Sequence, residues 1–335
     1  MARPLPMSPP EQYGVFTTAQ AHAAGWSPGA LHNAVRHGRL LRLARGVHAP
    51  AELWAGTGID AQVRRAMMRS VAGVLAIRSS AASHTSAALL DGMPVWSRPH
   101  RACVTVNPRY TGDAGCAHLH RARLLPEHVA VDRTIARTTP ARTVLDTARE
   151  HGIEDAVVMG DYAVRNGLTD TDQLTRCARS CAGWPGIRRA RAMIDILDPR
   201  SESPLESGSR VRLSFTRIPP PDLQPCIYDL GGRFLGRLDF YWDEFGVAGE
   251  ADGRLKYLID PNDPEQSEAF WLEKQRQQLL EECGVFFVRW GRSDLAAMSR
   301  LVTRIETQFA RGQRRSSADR RWIVRRTPAL PRQFQ

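Results

Sequence analysis

Arg237-Leu-Asp239-Phe-Tyr-Trp242, then Asp243-Glu244-Phe245-Gly246, then Val247-Ala-Gly-Glu250-Ala-Asp252-Gly-Arg-Leu-Lys256-Tyr257 is the stretch that decides the fold of the C-terminal third. Apolar and aromatic runs on either side of a polar, glycine-ended turn read as a β-hairpin. Side chains alternate along a strand, so Glu250 and Asp252 share one face. A register that sets Asp239 opposite them brings three carboxylates to one place. Such crowding is unfavourable unless a proton or a cation neutralises it. Lys256, a few residues on, is within reach of the same spot. Carboxylates plus one lysine on a small sheet suit metal-assisted phosphodiester cleavage. The alternative is a half-exposed sheet with solvent-facing charges. Against it, both acids sit in a run of small and apolar residues, where exposed acids have poor strand propensity.

Working outward, Pro204 to Leu213 reads as a helix with Glu206 near its N-terminus, where the helix dipole favours an anion. Leu223 to Leu230 and Arg233 to Trp242 read as strands joined at Gly231-Gly232. Ala269 to Cys283 is an amphipathic helix. Trp271, Leu272, Leu279, Leu280 and Cys283 lie on one side of it, and Glu273, Lys274, Arg276 and Gln277 on the other. Val285 to Trp290 is a buried strand, and a last helix starts at Ser293 or Asp294 and ends near Ala310. The order is helix, three antiparallel strands, helix, strand, helix. The pieces Ser203-Pro-Leu-Glu206-Ser, Arg237-Leu-Asp239, Glu250-Ala-Asp252-Gly-Arg-Leu-Lys256-Tyr257, Glu273-Lys274-Gln-Arg276 and Val288-Arg-Trp290 resemble the very-short-patch-repair-like endonucleases, a branch of the PD-(D/E)xK class. The resemblance implies a restriction-endonuclease-like αβββαβα core. It also implies Mg²⁺ held by Asp239 and Glu250 with Glu206 assisting, and a DNA endonuclease activity. One departure matters. Asp252 stands where the wider class has its lysine, and Lys256 stands near where other members of the branch have a histidine. Either Lys256 takes the charge-stabilising role or the module only binds DNA.

At the other end, Thr17 or Thr18 can cap a helix through Ala24, and Gly25-Trp26-Ser27-Pro28 makes a turn. A second helix runs to His37 with Leu31, Ala34 and Val35 on one face, and Gly38 ends it. Arg39 to His48 alternates as a hairpin. Helix, tight turn, helix and basic hairpin make a winged helix-turn-helix. The exposed face of its second helix carries His32, Asn33, Arg36 and His37, suited to base edges or phosphates. The wing carries Arg39, Arg42 and Arg45 for the DNA backbone. The competing reading is a small helical domain with solvated arginines. The run Gly14-Val-Phe-Thr-Thr-Ala-Gln-Ala through Gly38-Arg-Leu-Leu-Arg-Leu-Ala-Arg-Gly46-Val-His resembles the N-terminal winged helix of AbiEi-type antitoxins, with His48 where such sequences usually have an aromatic. That resemblance implies a transcriptional autorepressor of a toxin–antitoxin operon, with a toxin or operon partner.

The expected organisation is a multidomain α+β or α/β chain. It has a winged helix at 11–50, a mixed middle region at 52–198, the nuclease-like core at 199–310 and a basic, solvated tail at 311–335. In the middle region, Ile59 to Ile77 and Ser79 to Leu90 read as helices, and Ala102 to Val106, Ala117 to Ala122 and Val129 to Ile135 as strands. His84 has no neighbours in sequence that complete a catalytic triad. Cys116, His118 and His120 alternate on one strand face, but zinc sites usually draw ligands from two separated pairs, so no metal is expected there. The chain of 335 residues carries a formal charge of +11 and a pI near 10.0, almost all of its base being arginine. That favours a polyanion such as double-stranded DNA, although arginine enrichment also follows high genomic GC content. No apolar run is long enough to span a bilayer, and Met1 to Pro10 lacks the apolar segment of a signal peptide. A cytoplasmic protein with free thiols is therefore expected, and no membrane partner.

Overall fold

The structure is a computed structural model that describes residues 8–97, 100–113, 115–132, 135–251, 264–315 and 320–326. The chain divides into two compact units, Met1–Ile194 and Asp195–Gln335. Both mix helices with sheet, and no helix among the described residues is long and apolar enough to cross a membrane.

The first unit opens with β1 (Phe16–Thr17), α1 (Thr18–Ala23), α2 (Pro28–Arg36), β2 (Leu40–Ala44) and β3 (Val47–Pro50). Local chemistry sets these boundaries. Thr17 and Gln20 form a reciprocal capping box at α1. Ser27 caps α2 by accepting from Ala30 N–H at 3.1 Å, with Pro28 in the first turn. Gly38 takes the left-handed conformation that releases the chain from α2 into the hairpin. Strand order β1-β3-β2 makes a small antiparallel sheet. Phe16, Ala21, Trp26, Leu31, Ala34 and Leu40 form the core beneath the two helices.

This domain does not stand on its own core alone. Val15, Val47 and Ala49 pack with Met68, Val71 and Ala72 of α4 (Gly58–Ala76), which follows the short α3 (Ala51–Trp54). The elements that follow are β4 (Ser80–Ala82), α5 (His84–Leu90), β5 (Ala102–Val106), β6 (Ala117–Arg121), β7 (Val129–Asp132), β8 (Ile135–Thr138), α6 (Pro140–Glu150), α7 (Ile153–Arg165), α8 (Thr171–Ser180) and α9 (Ile187–Asp195). Their strands form one mixed sheet in the order β6-β5-β4-β8-β7. Two expectations change here. The helix read from Ser79 begins only at His84, because Ser80–Ala82 pairs with β5. The strand read over Val129–Ile135 is two antiparallel strands, β7 and β8.

The second unit comprises α10 (Pro204–Leu213), β9 (Asp222–Leu223), β10 (Cys226–Asp229), β11 (Phe234–Arg237), β12 (Phe240–Trp242), β13 (Val247–Ala251), α11 (Pro264–Cys283), β14 (Phe286–Trp290), α12 (Arg292–Leu295), α13 (Met298–Gln313) and β15 (Trp322–Arg325). One sheet has the order β14-β13-β12-β9, with β13 and β14 parallel and the other neighbours antiparallel. The other has the order β11-β10-β15. The two strands expected over Leu223–Leu230 and Arg233–Trp242 are each cut in two. The break falls at Gln224, whose φ of 53° is left-handed, and at Asp239 opposite it. Backbone pairing persists across the break through Gln224 N–H to Asp239 O and Leu238 N–H to Pro225 O. Gly249 is required by close approach, since a Cβ there would lie 2.4 Å from the Trp290 ring.

The arginine-rich stretch from 311, expected as a solvated tail, instead contributes the end of α13 and then β15, which pairs with β10. Trp322 is the reason. It is buried, packs with Ile227, Leu235, Tyr241 and Leu280, and donates its indole N–H to Tyr241 Oη at 2.6 Å. Trp271 and Leu272, expected on the buried side of α11, are exposed, and Leu280 carries the packing. Trp322→Ala should destabilise the protein by about 3 kcal/mol, seen as a lower urea midpoint. The neighbouring surface change Arg321→Ala should stay within about 0.5 kcal/mol of wild type.

Candidate nucleic-acid interface and carboxylate site

Burial of Leu31 and Ala34 fixes the outward face of α2. His32, Asn33 and Arg36 on that helix, His37 at its C-cap and Arg39 just after it are exposed, as are Arg42 and Arg45 of the hairpin. All seven therefore meet solvent from one small domain. His37 is oriented by its own helix, its Nδ1 lying 2.8 Å from Asn33 O. His48 turns inward instead. It is buried, its ring centroid lies 6.0 Å from that of Phe16, and its Nε2 is 3.2 Å from Thr18 Oγ1. Burial, then Arg42, lowers its pKa, so this residue fills a core position as a neutral ring.

In the second unit the hairpin register is Phe240↔Gly249, Tyr241↔Ala248 and Trp242↔Val247. Continued by one residue, it sets Asp239 beside Glu250. Asp239 Oδ2 accepts from Ala251 N–H at 2.9 Å. Glu250 is buried at 5% exposure. Burial pushes its carboxyl up to about 7, and the neighbouring Asp239 carboxylate adds to the push, against the pull of Arg276 and Arg289. Arg276 comes from α11 and donates to Glu250 Oε1 at 3.3 Å and to Glu273 Oε1 at 2.6 Å. Arg289 stands beside Glu250 as its register partner on β14.

Glu206 sits in the first turn of α10, where Ser203 is the cap and accepts from Glu206 N–H. Its own Oε2 takes two donors, Glu202 N–H and Gln224 Nε2, both at 2.8 Å. Gln224 thus joins Glu206 to the backbone of Asp239, a link no sequence motif announced. Asp252 and Lys256 lie outside the described residues. Among the described residues, no third His, Cys, Asp or Glu ligand gathers with Asp239 and Glu250 as tightly as in the two clusters that do form elsewhere. Two adjacent carboxylates, one of them buried, are nonetheless a donor set that fits a hard cation such as Mg²⁺, which usually takes one or two carboxylates and keeps several waters.

The class defined at the N-terminus is a helix-turn-helix followed by a basic β-hairpin. Residues 10–51 match the family model described as transcriptional regulator, AbiEi antitoxin. Among curated proteins, the chain is 28% identical over 138 residues to the uncharacterized proteins Rv2248 and MT2308 of two Mycobacterium tuberculosis strains, H37Rv and CDC 1551. That alignment takes in 41% of this chain, which spans about half the length (50%) of those relatives. Among solved structures, that of the RV2827C protein of Mycobacterium tuberculosis aligns at a TM-score of 0.34 and 18% identity, over 54% of this chain and 71% of that one.

The raised pKa of Glu250 has a sign that can be checked. Between the ordinary carboxylate value of 4.5 and about 7, the folded chain holds a proton that the unfolded chain has released. Stability therefore falls as pH rises through that window, by about 3 kcal/mol at most, and levels off above it. Glu250→Gln cannot ionise and should remove that fall. Urea midpoints at pH 5 and pH 8, taken in EDTA, should differ less in the variant than in wild type. An unchanged difference refutes the assignment.

Proposed function

We propose that this protein is a DNA-binding transcriptional regulator of the antitoxin type, acting on double-stranded DNA through α2 and its wing. The observation that carries the reading is that His32, Asn33, Arg36, His37, Arg39, Arg42 and Arg45 are all exposed on one helix and the hairpin that follows it. The family match to the same segment, residues 10–51, supports it. In this reading Asn33 and Arg36 enter the major groove and read base edges, because amide and guanidinium side chains form bidentate pairs there. Arg39, Arg42 and Arg45 contact phosphates and set register and affinity. The net charge of +11 supplies long-range attraction. The expected target is the operator of its own operon, and the expected protein partner is a toxin encoded beside it.

Fluorescence anisotropy with the DNA upstream of its own gene tests this. Wild type should bind that DNA more tightly than a scrambled duplex. Arg36→Ala should cost about 1–3 kcal/mol, a factor of roughly 5 to 150, and relax the preference. Arg42→Ala should weaken both duplexes alike and flatten the salt dependence. Equal binding of the two duplexes by wild type would sink the regulator reading.

One further observation favours a second activity in the same chain. The adjacency of Asp239 and Glu250 in a buried setting supports a Mg²⁺-dependent endodeoxyribonuclease site, with Glu206 contributing from α10 and Lys256 and Asp252 completing the catalytic set. A bound Mg²⁺ would supply Lewis-acid polarisation of a phosphate and an acidified water. The chain's own part is to hold the two carboxylates together, with Arg276 and Arg289 lowering the cost of their charge. Supercoiled plasmid incubated with Mg²⁺ should be nicked by wild type and not by Asp239→Asn. If neither protein nicks, or both do equally, the module only binds.

A further inference from the structure

Four of the ten histidines, His84, His118, His120 and His151, meet in the first unit and belong to neither site above. Topology brings them together. β5 and β6 run parallel with Cys103 beside His118 and Thr105 beside His120, so these four share one face of the sheet. β4 leads through Ser83, whose N–H donates to Cys103 O, into α5, and His84 is the first residue of that helix. Its φ of 49° is left-handed, a conformation that a non-glycine residue keeps only where its surroundings impose it. α6 ends at the same place, delivering Glu150 and then His151.

The rings are close. The His84 and His120 centroids are 3.7 Å apart and stacked, and those of His84 and His151 are 4.8 Å apart. One ring nitrogen from each of these three histidines lies within 4.8 Å of the others. Glu150 Oε2 is 2.6 Å from His120 Nδ1 and 3.6 Å from His84 Nε2. His84 Nδ1 faces Ser83 Oγ at 3.0 Å. In both buried rings, then, Nδ1 is engaged by the protein while Nε2 is buried with no hydrogen-bond partner. Thr105 Oγ1, on the same sheet face, is buried without a partner too. A buried polar atom that nothing meets is costly, which favours a partner at these positions. An imidazole held at one nitrogen by a carboxylate or hydroxyl, with the other nitrogen available, is how proteins present metal-ligating histidines.

The chemistry selects the ion. Imidazole donors with one carboxylate behind them suit zinc and its neighbours rather than Mg²⁺ or Ca²⁺, which take oxygen. A second group in this unit, His128, Cys177 and Cys181, also clusters. There the Arg142 guanidinium stands 3.0 Å from His128 Nδ1, and Ser180 Oγ is 2.9 Å from its Nε2. Both ring nitrogens are engaged and a buried cation adjoins, so that cluster is excluded.

We propose that His84, His120 and His151 form a binding site for one divalent transition metal of zinc's class, with Glu150 as the carboxylate that orients His120. The ion joins the start of α5, the strand β6 and the end of α6, and so pins three separated segments of the first unit.

The test uses the full chain, free of any affinity tag and stripped with EDTA. Calorimetric titration with Zn²⁺ should give one site per chain. Co²⁺ in place of Zn²⁺ should give the visible absorption of a low-symmetry site. His151→Ala, a change at an exposed position, should weaken Zn²⁺ binding at least tenfold with unchanged far-UV circular dichroism. Glu150→Gln should weaken it roughly 10- to 100-fold. The double change Asp239→Asn with Glu250→Gln should leave it as in wild type, which separates this site from the carboxylate pair. Absence of a Zn²⁺ isotherm in wild type, or binding by His151→Ala equal to wild type, overturns the proposal.

Discussion

A carboxylate taken out of water must be answered by a proton, a cation or a set of donors, and the second unit is arranged around that requirement at Glu250. The strand that carries it is enclosed on both sides, by β12 and by the parallel β14. Gly249 beside it has no side chain, because Trp290 lies over that position and is itself tied to α10 through its indole N–H and Ser209 Oγ at 2.7 Å. Arg276 reaches in from α11 and Arg289 from β14. The break at Gln224 and Asp239 then lets one strand pair leave this sheet for the other, while its carboxylate stays behind to hold Ala251 N–H. The packing that fixes the sheet and the charges that meet on it are thus one arrangement.

What could be read from the sequence, and what could not, follows from the range of the forces involved. The hairpin limits at Trp242 and Val247 were legible because turn chemistry acts within four residues, and so, to within one residue, was the start of α1 at Thr17 or Thr18. The kink at Gln224 was not. A glutamine in a left-handed conformation follows from the hydrogen bond it makes to Glu206, eighteen positions away in sequence. Trp322 was hidden by composition, because a strand of four residues among arginines reads as a charged tail until its partner β10 is known. The exposed ends of Trp271 and Leu272 show the reverse error, apolar periodicity taken for burial.

The histidine group shows the same limit most clearly. Only the alternation of Cys116, His118 and His120 is local. His84 and His151 arrive through a helix start and a helix end that nothing near them in sequence connects. A rule that looks for ligand pairs by local spacing does not reach a cluster that forms only where the start of α5, the strand β6 and the end of α6 meet.

The core shared by the small N-terminal sheet and α4 has a mechanical consequence. Val15, Val47 and Ala49 are seated on Met68, Val71 and Ala72, so the hairpin that bears Arg42 and Arg45 is not hung from a swivel. Torque applied to the body behind it is transmitted to the hairpin rather than lost in a hinge. A molecule that grips that body therefore holds the chain by a handle.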